Sequence, residues 1–393
     1  MADWLADFVE YGSDGEASER LLYWVGVATV AGVLRRKVWF DMGHFQWSPN
    51  FYILIVGEPG MVRKSTSIDI GMRLLKRVDG IHRGPSIVTW QALVQYVATH
   101  KDDVMLPDGS DFEMSPVTLA ISEFGSFFDP ANRELVDTMT DLWDGKLDSI
   151  EKMTKTSGND VMTNPWINLI AATTPKWMSE HFTEGLVGGG LAGRFIYLYG
   201  EMPTKDIAYP KRNMGDTEKR REREMNLLDR LRNIANHAGE YELTEEAYEW
   251  GERWYAEERA LLRSMTANSL ERGFVGRKQV HLHKLAMVIS AARGDFPTIT
   301  LDHLREAERQ LRLLDEDTSQ VFGVVGQSKV TNASREIVEA VKRAGAIEKR
   351  VLYKSQFWRT MTIGEFNEAV QSAVQAELIV EQNDVARPLL MPR

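Results

Sequence analysis

Lys64, Ser65 and Thr66 follow a run of mostly apolar residues, 51–56, and a loop containing Gly57, Pro59 and Gly60. The run reads as a buried strand, and a helix is expected from Lys64 to about residue 77. Strand, glycine-bearing loop, Lys-Ser and helix is the order that phosphate recognition requires. Backbone N–H groups of such a loop, with the positive end of the helix, surround phosphate oxygens. Lys64 then neutralises the β- and γ-phosphates and the Ser65 hydroxyl holds Mg²⁺. The pattern G-x-x-x-x-G-K-[ST] is not met in full: Arg63 stands where its last glycine belongs, and Glu58 takes the first-glycine position with Gly57 one residue earlier. The bland alternative is an ordinary strand–turn–helix with a surface lysine.

Three further positions extend this chemistry. Residues 117–121 (VTLAI) read as a buried strand ending in Ser122 and Glu123. An apolar strand ending in acid is what water activation beside a bound nucleotide needs. Glu123 takes the water-polarising position, and Ser122 occupies the place in which an Asp usually supports Mg²⁺. Residues 166–172 form another apolar strand that runs into Thr173, Thr174 and Pro175. Thr174 is the first choice for a hydroxyl that senses the γ-phosphate. Thr173 is the second, and Asn168, inside the strand, the third. Arg194 follows the glycine-rich stretch 185–193 and opens a strand over 195–199. It is either a surface residue or an arginine finger offered to a neighbouring subunit's nucleotide. A solvated Glu and a plain β-turn are the corresponding alternatives for Glu123 and Thr174.

The elements that must hold these groups alternate strand and helix. They predict an α/β fold, a P-loop NTPase with a doubly wound, mostly parallel sheet and the loop at its carboxyl edge. Further strands are expected at 38–40 and 86–90, a loop or hairpin at 101–115, and a hairpin within 146–165. Residues 1–48 read as an N-terminal helical segment, 49–200 as the ATPase core, 213–322 as a helical lid bundle and 330–393 as a winged helix. Residues 201–212 form the linker. The mixed-sign stretch 218–224 reads as a solvated helix face. His281 and His283 read as structural, and Arg277 and Lys284 as lid residues with some reach toward a nucleotide. In 330–393, three helices and a hairpin suit either DNA, through the third helix, or a partner protein.

Composition bounds the setting. The chain has 393 residues, no cysteine and a net charge of −10. Absence of cysteine removes disulfide and thiolate chemistry and fits a cytoplasmic location. The acidic balance excludes a protein coated in basic surface, so nucleic-acid contact must be local. Residues 330–393 carry 9 Lys/Arg and 8 Asp/Glu. The apolar stretch 21–34 is shorter than the ~20 residues of a membrane span. Asp3, Asp7 and Glu10 precede it, unlike the basic start of a signal peptide. It reads as a buried helix, and no membrane partner is expected.

Taken together, several stretches resemble the phage and plasmid replication ATPases related to the helicase part of primase-helicase proteins, which are similar in layout to superfamily III and AAA+ ring helicases. They are Pro49-Asn50-Phe51 leading into GEPGMVRKST, AISEFGSFF at 120–128, LWDG at 142–145, AATTPKWM at 171–178, LAGRF at 191–195 and HKLAMV at 283–288. The resemblance implies a DNA helicase motor that hydrolyses ATP with Mg²⁺ between subunits of a ring, usually a hexamer, with single-stranded DNA in the pore. It implies phosphate and Mg²⁺ contacts by Lys64 and Ser65, water activation by Glu123, γ-phosphate sensing by Thr174 and action in trans by Arg194. Lys152 and Lys155 match a hairpin that touches the DNA backbone, and the winged helix offers a surface to other replication proteins. Arg63 and Ser122 depart from the family pattern and point to slow hydrolysis. The alternatives are a non-motor ATP switch, acting as a helicase loader or initiator, and then a small-molecule kinase.

Overall fold

The computed structural model describes residues 3–145, 148–154, 158–182, 190–200, 203–265, 271–325, 329–359, 361–382 and 388–393. The chain is mixed α/β and divides into two compact units, Met1–Phe322 and Gly323–Arg393. The N-terminal segment, the central sheet and the helical region after it belong to the first unit, so no boundary between compact units falls near residues 48 or 213.

Asp3 and Ser18 cap the first two helices, α1 (Trp4–Gly12) and α2 (Glu19–Leu34), by accepting from backbone N–H groups of the first turn. Such caps satisfy donors that have no partner within the helix. α2 is the expected buried helix: from Trp24 to Leu34 every residue is buried. Strand β1 (Val38–Asp41) and β2 (Gln46–Trp47) follow, and then β3 (Tyr52–Val56) and α3 (Lys64–Leu75). α3 packs on α2 closely enough that a Cβ on Gly71 would lie 2.3 Å from the Thr29 hydroxyl.

α4 (Trp90–Thr99) leads into a hairpin of β4 (Asp102–Met105) and β5 (Asp111–Ile121). After α5 (Arg133–Asp144) come β6 (Ser149–Thr154) and β7 (Gly158–Thr163), which pair as the expected hairpin. β8 (Pro165–Thr173), α6 (Pro175–His181) and β9 (Phe195–Tyr199) complete the central sheet. Its order is β4-β5-β8-β3-β9, with β5, β8, β3 and β9 parallel and β4 antiparallel to β5. β3 and β8 are buried at every position. Asn168 donates to the Ala28 carbonyl of α2 on one face, while Tyr52 donates to the Met139 carbonyl of α5 on the other. Both faces are therefore covered, as a parallel sheet requires.

The strand expected at 86–90 does not form. A single parallel bridge, Arg83 to Thr118, runs beside β5 instead. Gly84 is confined there, since a Cβ would lie 2.2 Å from Leu119, and Pro85 follows with no N–H to donate. Ile87 is exposed, so the segment gains nothing from a ladder.

The region after β9 is not purely helical. α7 (Thr217–Ile234) is followed by β10 (Gly239–Leu243), α8 (Glu245–Ser264), α9 (Lys278–Arg293), β11 (Thr298–Ile299) and α10 (Leu301–Val325). β10 and β11 join β1 and β2 in a second sheet, order β11-β10-β1-β2, which ties the start of the chain to this region. α7 keeps the solvated face expected of its mixed charges, with Glu218, Lys219, Arg221, Glu222 and Arg223 exposed, and it adds ion pairs across to the start of the chain. Arg230, Arg223 and Arg220 pair with Asp7, Glu10 and Asp14 of the N-terminal segment, running antiparallel to it.

The second unit holds α11 (Lys329–Ala344), β12 (Ile347–Glu348), a short helix Lys349–Leu352 continuing as the π-helical turn Tyr353–Phe357, then α12 (Ile363–Gln375), β13 (Ile379–Gln382) and β14 (Leu389–Pro392). Three helical segments pack on an antiparallel sheet of order β12-β14-β13 around a core that includes Ile337, Leu352, Phe366 and Leu390. Among the described residues no helix is long and apolar enough to cross a membrane.

Candidate functional site

The carboxyl edge of the central sheet gathers the phosphate-loop residues. Gly57 continues β3 and donates to the Thr173 carbonyl of β8 at 3.2 Å. The loop then folds back so that Val62 is buried against two glycines. A Cβ on Gly57 would lie 2.7 Å from Val62, and one on Gly200, just past β9, only 2.3 Å away. Val62 is thus a peg that fixes the loop between the ends of β3 and β9. Gly60 takes φ +76°. Arg63 takes φ 54° and ψ 29°, left-handed backbone that favours glycine. The conformation that the missing glycine would supply is present, carried by an arginine. Arg63 pairs with Glu16, whose other oxygen accepts from the Ile207 N–H at 2.8 Å. These contacts, the backbone N–H first, hold the Glu16 carboxyl below the usual range.

α3 begins at the next residue. Lys64 turns inward: its Nζ donates to the Gly57 carbonyl and, at 3.0 Å, to the Thr173 carbonyl. Burial lowers its pKa, with Glu58 opposing. The Lys64 ammonium is thus held by carbonyls at the ends of two parallel strands, beside the first turn of α3. Ser65 and Thr66 are exposed on that first turn, and Pro59 lies in the exposed part of the loop.

The other expected residues come to the same edge by register. β5 aligns Ile121 with Ala171 of β8, and β8 aligns Thr173 with Val56 of β3. Glu123, two residues past Ile121, is therefore level with the loop and two strand spacings away, about 10 Å. Ser122 and Glu123 are exposed. Thr174 caps α6, its hydroxyl oxygen accepting from the Trp177 N–H at 3.1 Å, which leaves its O–H free to donate. The turn after Glu123 is packed directly on α6: a Cβ on Gly125 would lie 2.3 Å from the Trp177 indole nitrogen. Thr173 contributes its carbonyl, not its hydroxyl. Asn168 is structural: it accepts from the Phe51 N–H and donates to Ala28.

Arg194 is not among these groups. β9 is parallel to β3 with Phe195 opposite Tyr52, so Arg194 lies at the amino edge of the sheet. Rather than standing at the surface as a finger, it is 5% exposed. Its Nε and Nη2 donate to the two Asp144 oxygens at 3.0 and 2.8 Å, and Nη1 donates to the Gly190 carbonyl at 2.6 Å. A planar guanidinium matches a carboxylate in this two-pronged way, and burial favours the match over solvent. Lys284 is buried beside it, donating to Asn50 Oδ1 at 2.6 Å and the Trp143 carbonyl at 2.8 Å over the Trp143 ring. Burial drives its pKa well down. Lys284 therefore braces the start of β3 from the amino edge, away from the phosphate loop. Arg277, half-buried, lies next to Arg194 and makes no ion pair among the described residues; burial and then Arg194 lower its pKa. His281 and His283 are buried, as expected of structural residues.

Lys155 lies outside the described residues. Lys152 sits in β6 of the hairpin, opposite Asp160. Among the described residues no group of three or more His, Cys, Asp or Glu could hold a metal. The oxygen donors exposed at the carboxyl edge, Ser65, Ser122 and Glu123, suit Mg²⁺ that takes its remaining ligands from phosphate and water.

One feature was not visible in the sequence. A cavity of about 500 Å³ flanks the start of α3, lined by Tyr11, Gly15, Arg63, Thr66, Ile70 and Ile207 among others. Its walls come from the α1–α2 turn, α3 and the segment after β9, which only the fold brings together. Several of its polar groups are paired, Arg220 with Asp14 and the Tyr11 hydroxyl with Glu224 at 2.8 Å, while Arg73 donates to the Asp69 carbonyl. No protein-family model matches the chain, and no curated protein matches its sequence.

Proposed function

We propose that the chain is an ATPase of the P-loop class, acting as a DNA helicase or translocase in the replication system of a phage or other mobile element. One observation carries the nucleotide part: Lys64 bridges the ends of β3 and β8 behind a loop whose Arg63 has the left-handed backbone expected of the missing glycine. In this reading the triphosphate replaces the two carbonyls as the partner of Lys64. Ser65, with Ser122 nearby, holds Mg²⁺, which neutralises charge on the phosphates. Glu123 orients the attacking water and Thr174 donates to the γ-phosphate. The base enters the cavity beside Thr66 and Ile70, a concave site of the size ligands use. DNA as the track, and a ring as the assembly, come from the family resemblance, with Lys152 and Lys155 as the pore contacts. The second unit has the element order of a winged helix.

A second reading, an ATP switch that loads or initiates without acting as a motor, is favoured by one observation. Arg194 is bound within its own chain to Asp144 and is not offered to a neighbour. The two readings separate in one assay. A motor hydrolyses ATP several-fold faster with single-stranded DNA and displaces a strand from a fork. A switch turns over slowly at a rate indifferent to DNA. Lys64→Ala and Glu123→Gln abolish turnover in both. Turnover that survives both substitutions overturns the nucleotide site itself.

A further inference from the structure

The second unit contains a charge asymmetry that the nucleotide reading does not use. Residues 349–359 (KRVLYKSQFWR) carry four cations and no carboxylate, in a chain of net charge −10. They form the short helix Lys349–Leu352 and the π-helical turn Tyr353–Phe357. Leu352 and Phe357 point into the core, and the Tyr353 hydroxyl donates to the Met361 carbonyl. The opposite side is open: Arg350, Val351, Lys354, Ser355, Trp358 and Arg359 are all exposed. Arg350, Lys354 and Trp358 follow one another at four-residue spacing, which puts them on one side of a helix. Lys349 is engaged with Glu381 at 2.9 Å, but Arg350 and Lys354 make no ion pair among the described residues. Trp358 is 55% exposed, with the Arg359 guanidinium 5.0 Å from its ring centre.

An exposed indole flanked by unpaired cations suits a partner with flat aromatic faces and a regular anionic backbone. Single-stranded nucleic acid has both. A base stacks on an aromatic ring only when it is not already stacked in a duplex. The neighbouring helix α12 offers the contrary surface: it has no Lys or Arg and carries Glu365 and Glu368. The acidic balance of the whole chain, −10, makes a cluster of unpaired cations on one face a local exception.

We propose that the face formed by Arg350, Lys354, Trp358 and Arg359 binds single-stranded nucleic acid, with Trp358 stacked on a base and Arg350 and Lys354 against phosphates. This goes beyond the nucleotide site and stands or falls separately from it. The test uses the full chain without nucleotide and follows the anisotropy of a labelled single-stranded oligothymidine across a salt series. Trp358→Ala weakens binding about 5- to 100-fold, the range for losing one stacked base. Trp358→Phe, which keeps an aromatic face, restores most of it. Lys354→Gln weakens binding and flattens the slope of log affinity against log salt by about 0.7, one phosphate contact. Both side chains are exposed, so the three variants keep the parent's melting temperature. Undiminished binding by a Trp358→Ala, Lys354→Gln double variant, or no binding by the parent chain at low salt, overturns the proposal. Equal loss of duplex and single-strand affinity in Trp358→Ala also overturns it, because stacking would not be the cause.

Discussion

The carboxyl and amino edges of the central sheet both carry charge, but they treat it in opposite ways. At the carboxyl edge Lys64 rests on two carbonyls, and neither it nor the exposed Glu123 makes an ion pair among the described residues. At the amino edge Arg194 and Asp144 form a two-pronged pair, and Lys284 is enclosed by Asn50 and Trp143. The second arrangement costs desolvation and recovers it through directed contacts, so it specifies how β3, α5, β9 and α9 meet. The first leaves both groups without an ion-pair partner among the described residues, which is what the proposed nucleotide site requires. Arg194 and Lys64 have similar chemistry in the sequence; the edge on which each falls separates a brace from a binding group.

The largest effect expected from this contrast is on stability at the amino edge. Asp144→Ala strands the Arg194 guanidinium in the interior and should cost about 3–5 kcal/mol, read by denaturant unfolding. The double variant Asp144→Leu, Arg194→Met should recover much of that loss, because a well-packed apolar pair is a tolerable replacement. At the carboxyl edge Lys64→Met gives up hydrogen bonds to two carbonyls and should cost the free chain no more than about 2 kcal/mol, less than Asp144→Ala. Its larger effect appears with ligand. ATP at a hundred times its dissociation constant stabilises the parent by about 2.7 kcal/mol, and the variant should show none of this. If Lys64→Met destabilises the free chain as much as Asp144→Ala, the lysine is a brace as well and the contrast fails.

Much of the carboxyl edge was legible in the sequence because it is local. The run 51–56, the glycine-bearing loop and Lys64 are contiguous, and β5 and β8 are apolar runs with polar tips. The amino edge was legible only as motif fragments. Asn50, Trp143, Asp144, Arg194 and Lys284 lie far apart in the chain, and no spacing rule links them. Lys284 gave one signal, a cation inside the apolar stretch His283–Val288 of a helix, which marks a buried amine in need of partners. The acidic series Asp7, Glu10 and Asp14 gave another at helical spacing, complementary to Arg230, Arg223 and Arg220. Without the pairing partner in view, α7 reads as solvated, which it largely is, but its ion pairs with the start of the chain go unseen. β10 was missed because a five-residue strand between two charged helices has no periodicity of its own to report, and its partner β1 lies some two hundred positions earlier.

A smaller effect tests how the loop is held. Gly200→Ala places a Cβ against Val62 and should cost about 1–3 kcal/mol, as overpacking does. It should weaken ATP binding as well, because the displaced peg moves the loop. Adding Val62→Ala makes room for the new methyl group, so the double variant should be more stable than the sum of its two single changes. Thermal unfolding of the four chains, with and without ATP, measures that coupling. Strict additivity would show that Val62 and Gly200 do not fix the loop together.

Near neutral pH the amino edge hides a further effect, on protons. His281 and His283 are buried, and burial lowers their pKa values from 6.5 to about 3 and about 4. Each is neutral in the folded chain down to those values, whereas the unfolded chain takes up a proton below 6.5. The unfolded state thus binds more protons between 6.5 and about 4, and stability must fall as pH drops through that window. His237, which burial lowers to about 4, acts in the same direction. His283 stacks on Phe40 and Trp47, so His283→Phe suits the site sterically and loses only the bond to the Gln279 carbonyl. Unfolding free energies of the variant against pH should fall less steeply than the parent's by the share of one histidine, while matching the parent within about 1 kcal/mol near neutrality. A variant of His283 that keeps the full slope would mean that the ring is already charged in the folded chain, and that the amino edge is not the dry enclosure its packing describes.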